Sequence, residues 1–152
     1  MFKGRKIIAL CLTRLSNDET TAKVAELNKA LVAKDHRLFV YNACTDFYHN
    51  NRFENAEKKV YSLIDYNIVD AVVIFSEAFK DTSIVDELRM DAEAHNVPVF
   101  ILGNRSEKCT SFIFDYEAGF EQAVRHIIEY HGITDTAMIA GFKGEEHSEQ
   151  RI

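Results

Sequence analysis

The 152-residue sequence contains one proline, six glycines and three cysteines. So few turn-forming residues leave little room for a flexible linker, and the length suits one domain with a sizeable core. The number of cysteines is odd, and they are widely spaced at Cys11, Cys44 and Cys109, which argues against a disulfide framework. We therefore expect a single packed domain in the reducing cytoplasm.

Long apolar runs and clusters of basic residues are also lacking. No stretch of about 18 or more apolar residues occurs, so we expect no membrane partner. The first six residues lack the apolar stretch of a secretory signal. The net charge is -6, whereas binding to phosphates needs clustered Lys and Arg, so we expect no direct nucleic-acid contact by this chain.

Short apolar runs alternate with amphipathic segments along the chain. The run over residues 7–12 is continuously apolar, which is typical of a strand buried on both faces. The predicted strands cover residues 7–12, 38–41, 70–75, 97–102, 111–114 and 137–140. Because a helical segment separates most successive strands, we predict the α/β class, with an open parallel sheet and helices on both faces.

Each predicted helix has a start signal or an apolar stripe. Ser16 with Glu19 reads as a capping box, Asn51 opens the second helix, the third runs from Ser83, and Asp115 caps a fourth that ends at Gly132. The second helix is predicted to bury Phe53, Ala56, Val60, Leu63 and Ile64, and the third Val85, Leu88, Ala92 and His95.

The sequence lacks the residues that several kinds of catalytic or cofactor site require. The loop after the first strand has no glycine, and Asp18 and Glu19 would repel a phosphate, so we expect no nucleotide or flavin cofactor. A phosphoacceptor receiver domain needs acidic residues where Thr13, Arg14 and Ser76 stand. We therefore expect no catalytic residues and no enzymatic activity in this chain.

The histidines and Cys11 do not form a reactive group either. His126 and His131 are five residues apart, which on a continuous helix places them roughly 140° apart, so they would not share a metal ion. Cys11 lies within a predicted strand and has no histidine partner. We expect no metal site.

In open parallel sheets, ligands bind beyond the carboxyl ends of the strands. The loops that matter are therefore residues 13–20, 43–51, 76–83, 103–110 and 141 onward.

Five motifs occur in the order of a known family. The first motif is the strand over residues 8–12 followed by Leu15-Ser16-Asn17, Val69–Ile74 matches the family's "VDGIII", and Asn96–Val99 matches its "GIPVV". Phe114–Gly119 with His126 matches the family's "VDNxxAG…HL", and residues 139–141 with 148–151 match its "IAG…ARERxxGF". The chain thus resembles the LacI-type, periplasmic-binding-protein-like (type I) ligand-binding domain.

The resemblance implies an N-terminal lobe over residues 1–132 and the start of a truncated second lobe over residues 133–152. Such modules hold a sugar or another small metabolite between two lobes and commonly form homodimers. The positions that would face the ligand are Leu15, Ser16, Thr20, Ser76, Asn104, Asp115 and Arg151.

The sequence also departs from this pattern. Asp18, Glu19 and Thr20 replace the aromatic residues that follow "SN", and Tyr116 replaces the Asn of "VDN". Asn104 and Arg105 stand where the family has "DR". The identity of the ligand therefore cannot be taken from the resemblance.

Few residues precede the first strand, and Met1 looks like a natural start. This arrangement resembles sensors placed before a GGDEF diguanylate cyclase, so our leading hypothesis is a fragment of such a sensor. The alternative is the effector-binding domain of a LacI-type transcription regulator lacking its DNA-binding head. A standalone flavodoxin-like enzyme is the third possibility.

Overall fold

The computed structural model describes residues 4–49, 51–137, 139 and 148. The chain forms two compact units, Met1–Phe112 and Ile113–Ile152, which are described separately below. No helix among the described residues is long and apolar enough to cross a membrane.

The first unit is a five-stranded sheet with three α-helices. Its elements are β1 (Ile7–Thr13), α1 (Asp18–Val32), β2 (Arg37–Ala43), α2 (Arg52–Lys58), β3 (Ala71–Phe75), α3 (Thr82–Ala94), β4 (Val99–Leu102) and β5 (Thr110–Phe112). Short 3₁₀ helices cover Lys59–Leu63 and Ser76–Ala78. All strand pairs are parallel, in the order β2-β1-β3-β4-β5. Because β2 and β3 lie on opposite sides of β1, the strand order switches direction at the boundary between β1 and β3.

The sheet is covered on both faces. Ala9, Cys11 and Ile74 point to one face and belong to the core cluster that includes Leu88 of α3 and Tyr61. Alternate residues point to the other face, where Leu10, Leu12 and Phe75 pack with Val24 and Leu27 of α1. The prediction of an open parallel α/β sheet with helices on both faces is confirmed.

Two details of the first two helices differ from the prediction. The cap of α1 is Asn17, not Ser16, because the Asn17 side chain accepts hydrogen bonds from the amides of Glu19 and Thr20. Asn51 caps α2 as predicted, with Glu54 completing the capping box. However, Phe53 is 79% and Leu63 70% exposed.

The change of helix type explains the exposure of Leu63 but not that of Phe53, which lies within α2 before the change. After Lys58 the chain continues as a 3₁₀ helix with three residues per turn, so a stripe drawn with a period of 3.6 residues no longer faces the core. Tyr61 occupies the buried position instead, and its hydroxyl donates to the Leu12 carbonyl oxygen at 2.8 Å.

The third helix was predicted correctly in part. Leu88 and Ala92 are buried, together with Ile84 and Arg89. His95 lies at the C-cap and is exposed, because the helix ends there and Asn96 turns the chain with a φ of 57°.

The second unit contains α4 (Tyr116–Glu129), and Asp115 caps it as predicted by accepting a hydrogen bond from the Ala118 amide. Gly132, with a φ of 66°, lies just beyond the helix end. The predicted strand over residues 137–140 includes positions 138 and 140, which lie outside the described residues.

The separation predicted for His126 and His131 is wrong. Their ring centroids lie 4.9 Å apart, and each also lies about 5 Å from the Tyr130 ring. The prediction assumed a continuous helix, whereas α4 ends at Glu129 and the chain turns before His131.

Candidate ligand-binding site at the carboxyl edge of the sheet

The carboxyl ends of β1, β3 and β4 meet at one edge of the sheet. Cys11 is in register with Ile74, and Ile74 with Ile101, so the loops that follow these strands lie side by side. Five of the predicted ligand-facing residues lie in these loops or at the start of α1, namely Leu15, Ser16, Thr20, Ser76 and Asn104.

Ser76 and Asn104 are joined directly. The Asn104 amide donates to Ser76 Oγ at 2.9 Å, and Ser76 Oγ donates to the Leu102 carbonyl oxygen at 3.1 Å. Ser76 is only 3% exposed, so its hydroxyl ties the end of β3 to the end of β4. The Ser76 side chain therefore shapes the edge through these bonds, while Asn104 is half-buried beside it.

A cavity of about 320 Å³ lies between α3 and the loop that joins β4 to β5. Ser76 and Asn104 line it, together with Arg89 of α3 and the loop residues Arg105 and Lys108. Its size is at the lower end of the range for small-molecule pockets.

A second cavity, of about 180 Å³, lies beside the start of α1. Thr20 lines it, together with apolar residues that include Phe75 and Leu102. Glu19 and Lys23 also line it and form an ion pair of 2.7 Å, and the hydrogen bond from Lys23 lowers the pKa of the Glu19 carboxyl. The lining of this cavity combines apolar and polar side chains, and its volume is below the usual range for small-molecule pockets.

Leu15 and Ser16 line neither of these two cavities. Leu15 packs against the core cluster of Leu10 and Leu12, and its amide donates to Asn42 Oδ1 at 2.9 Å. Ser16 is exposed in the loop before α1.

The other two predicted positions belong to the second part of the chain. Asp115 lies in the second unit, where its carboxylate caps α4. Arg151 lies outside the described residues.

The sequence reasoning missed a buried carboxylate at the same edge. Asp46, 9% exposed, follows β2 and forms a 2.8 Å ion pair with Arg14. Thr13 Oγ1 lies 3.0 Å from Asp46 Oδ1 and from the Ala78 carbonyl oxygen. This cluster connects the loops that follow β1, β2 and β3. A polar residue just after an apolar strand was the only available signal.

Cys11 of β1 does not provide a reactive thiol. Cys11 is buried, and burial raises the pKa of its thiol well above the ordinary value, so it stays protonated. Within residues 4–49, 51–137, 139 and 148, no three His, Cys, Asp or Glu side chains are grouped to hold a metal ion.

No family model matches the sequence, and no curated protein matches it significantly. Solved structures of similar fold do exist. The lac repressor dimer bound to operator and an anti-inducer aligns with a TM-score of 0.72 and 18% identity, over 99% of this chain and 49% of that one.

Two further structures give the same picture. A sugar-binding LacI-family transcriptional regulator from Enterococcus faecalis has a TM-score of 0.62 and 16% identity, over 95% of this chain and 48% of that one. A LacI-family regulator from Weissella paramesenteroides with bound sucrose has a TM-score of 0.65 and 13% identity, over 96% and 52%.

The resemblance to LacI-type regulators is therefore confirmed at the level of the fold. This chain spans about half the length of each of these structures. All three are transcription regulators. None of the three is a sensor of a diguanylate cyclase, so the leading hypothesis gains no support from them.

Proposed function

We propose that this chain is part of the small-molecule-binding module of a LacI-type transcription regulator, and that its ligand is a sugar or a related metabolite. The main support is the carboxyl edge of the sheet, where two cavities are lined by polar side chains. The relatives in fold include a sugar-binding regulator and a sucrose complex, which is why carbohydrates are the first class to test.

In this proposal residues 1–132 form one lobe and residues 133–152 begin a second. Modules of the type that this chain resembles hold their ligand between two lobes, so ligand binding favours their closed arrangement. A ligand shifts such an equilibrium only by its difference in affinity for the two states. Homodimerisation is part of the proposal, with the lac repressor dimer as the precedent in fold.

The output of the module is control of transcription. The relatives in fold support this choice over a diguanylate cyclase, for which the described part of the chain provides no observation. DNA contact would then belong to another part of the protein, because the net charge of this chain is -6.

A thermal-shift screen of neutral sugars, sugar acids and sugar phosphates tests the proposal. A ligand at 100 times its Kd should stabilise the folded state by about 2.7 kcal/mol, and the melting temperature should rise with its concentration. Thr20→Val removes the side-chain hydroxyl that lines the smaller cavity. Asn104→Ala removes the side-chain carboxamide that lines the larger cavity.

At least one of these variants should lower the affinity. Asn28→Ala, at an exposed position of α1, should leave it unchanged. The proposal is wrong if none of the compounds shifts the melting temperature, or if neither cavity variant affects a shift that does occur.

A further inference from the structure

We propose that two copies of this chain pair through β2 (Arg37–Ala43), with the two β2 strands antiparallel, so that the sheets of the copies join into one. This inference rests on the homodimer that is part of the proposed function. It adds the surface through which the two copies meet.

The strand β2 is a long sheet edge without the usual protection against pairing. It is seven residues long, and β1 is its one neighbour among the strands that the structure describes. Residues 38–43 include no charge and no proline, and their register with β1 is unbroken by a bulge. Monomeric proteins commonly protect an edge by these devices or by a short strand, as at the opposite edge, where β5 has three residues. The edge suited to pairing with another strand is therefore β2.

Alternate residues of β2 direct their backbone groups away from the sheet. The Arg37 amide donates to the Lys6 carbonyl oxygen at 2.9 Å, and the Ala43 carbonyl oxygen accepts from the Arg14 amide at 2.8 Å. The odd-numbered residues of the strand thus direct their amide and carbonyl groups to β1. The residues between them direct theirs to the opposite side, and these are Leu38, Val40 and Asn42.

These outward residues are symmetric about Val40, so an identical strand fits them. In an antiparallel pair centred there, Val40 faces Val40 of the second copy and Leu38 faces Asn42 of the second copy. All three outward residues then lie in hydrogen-bonded pairs, which gives about six backbone hydrogen bonds between the copies. The pairing uses the β2 edge of both copies, so it closes at a dimer.

The side chains of β2 are also compatible with a second copy. Phe39 is 42% and Val40 37% exposed, so the pairing removes apolar surface from water. Phe39 would lie beside Tyr41 of the second copy, and aromatic cross-strand pairs stabilise a sheet. Because residues 38–43 carry no charge, like charges do not face each other along this stretch.

Sedimentation equilibrium of the 152-residue protein tests the inference. We expect a monomer–dimer equilibrium without larger species. Val40→Lys places two like charges opposite each other at the centre of the pair and should raise the dissociation constant of the dimer about tenfold or more. Met90→Lys is the matched control, because Met90 is an exposed residue of α3 and the change should leave the dissociation constant as it was. Circular dichroism checks that both variants are folded.

Amide hydrogen exchange, followed by NMR, tests the surface itself. In the wild-type dimer the amides of Leu38, Val40 and Asn42 should exchange slowly. In Val40→Lys the Leu38 and Asn42 amides should exchange rapidly, whereas those of Phe39 and Tyr41, which face β1, should stay protected. A dimer formed through helices would not produce this alternation.

A dimer that Val40→Lys does not weaken, or a dimer whose outward amides exchange rapidly, would overturn the inference and leave the homodimer of the proposed function intact. A protein that stays monomeric at the highest concentration measured would overturn both the pairing and the homodimer. Ligand binding is tested separately by the thermal-shift screen, so its failure would not be confused with either result.

Discussion

The Arg14 guanidinium lies 2.8 Å from the Asp46 carboxylate, which joins the loop after β1 to the loop after β2. Arg14 adopts a φ of 51°, an uncommon conformation for a residue with a side chain. The Asp46 carbonyl oxygen also accepts from the Lys80 amide, 2.9 Å away. The carboxyl edge is therefore held together by contacts between residues far apart in sequence, before any ligand binds.

Asp46→Ala should destabilise the protein by about 1–3 kcal/mol, because it removes the partner of Arg14 and an acceptor of the buried Thr13 hydroxyl. Urea unfolding followed by circular dichroism measures the change. Glu26→Ala, which removes an exposed carboxylate from α1, should cost no more than about 0.5 kcal/mol. Equal effects of the two variants would mean that the Asp46 cluster adds no stability.

Gly103→Ala should also destabilise the fold. Gly103 has a φ of 114°, and a β-carbon there would overlap the Glu77 side chain. We expect a loss of about 1–3 kcal/mol from backbone strain and the displaced side chain. In the double variant Gly103→Ala/Glu77→Ala, only the part of the lost stability that comes from the overlap with the Glu77 side chain should be recovered.

Gly119→Ala is the matched control for this glycine substitution. Gly119 lies within α4, and nothing lies within 4 Å of the added carbon. Alanine should stabilise a helix interior by about 0.5–1 kcal/mol relative to glycine. If the two substitutions changed the free energy of unfolding in the same direction, the role assigned to the conformation of Gly103 would be wrong.

The sequence predicted the sheet well and the polar interactions poorly. Buried parallel strands such as β1 and β3 read as continuous apolar runs, so their positions were evident. The cap of α1 was assigned one residue early because Ser16 and Asn17 are both good caps, and only the backbone geometry decides between them.

The candidate site follows the same division. Ser76 and Asn104 were found because they come directly after predicted strands, and the topology places such residues together. Asp46 and Arg89 were missed because their importance depends on partners and burial that no local pattern encodes. His126 and His131 were misplaced because the end of α4 was set too late.

Cys11 and Cys44 should differ in reactivity. Cys11 is fully buried and its pKa is raised by burial, whereas Cys44 is exposed. Because only the thiolate reacts, iodoacetamide at pH 8 should modify Cys44 in the folded protein and Cys11 only after unfolding. Peptide mass spectrometry after a short pulse gives the result. Modification of Cys11 at the same rate as Cys44 would contradict the burial of β1.

Asp70 should make stability depend on pH. Hydrogen bonds from Lys6 Nζ at 2.6 Å and the Ile7 amide at 2.8 Å hold the pKa of Asp70 below its ordinary value. The stabilisation is thus complete above the pKa of the unfolded chain and is lost as the pH falls through the lower pKa of the folded protein.

Asp70→Asn removes this dependence. The variant should be less stable than the wild type at pH 7 by about 0.5–1 kcal/mol, a modest figure because the ion pair is partly exposed to solvent. The difference should shrink between about pH 5 and pH 3. Urea unfolding across this range would contradict the account if the difference grew on acidification.

The most direct test of the account is to locate a bound ligand by NMR, using a compound that the thermal-shift screen identifies. On titration, the amide signals of the carboxyl edge should move most, including those of Thr20, Ser76 and Asn104. The signals of Asp35, Asp70 and Asn96, at the opposite edge, should stay in place. Shifts confined to that opposite edge, or none under saturating ligand, would contradict the claim that this sheet binds a small molecule at its carboxyl edge.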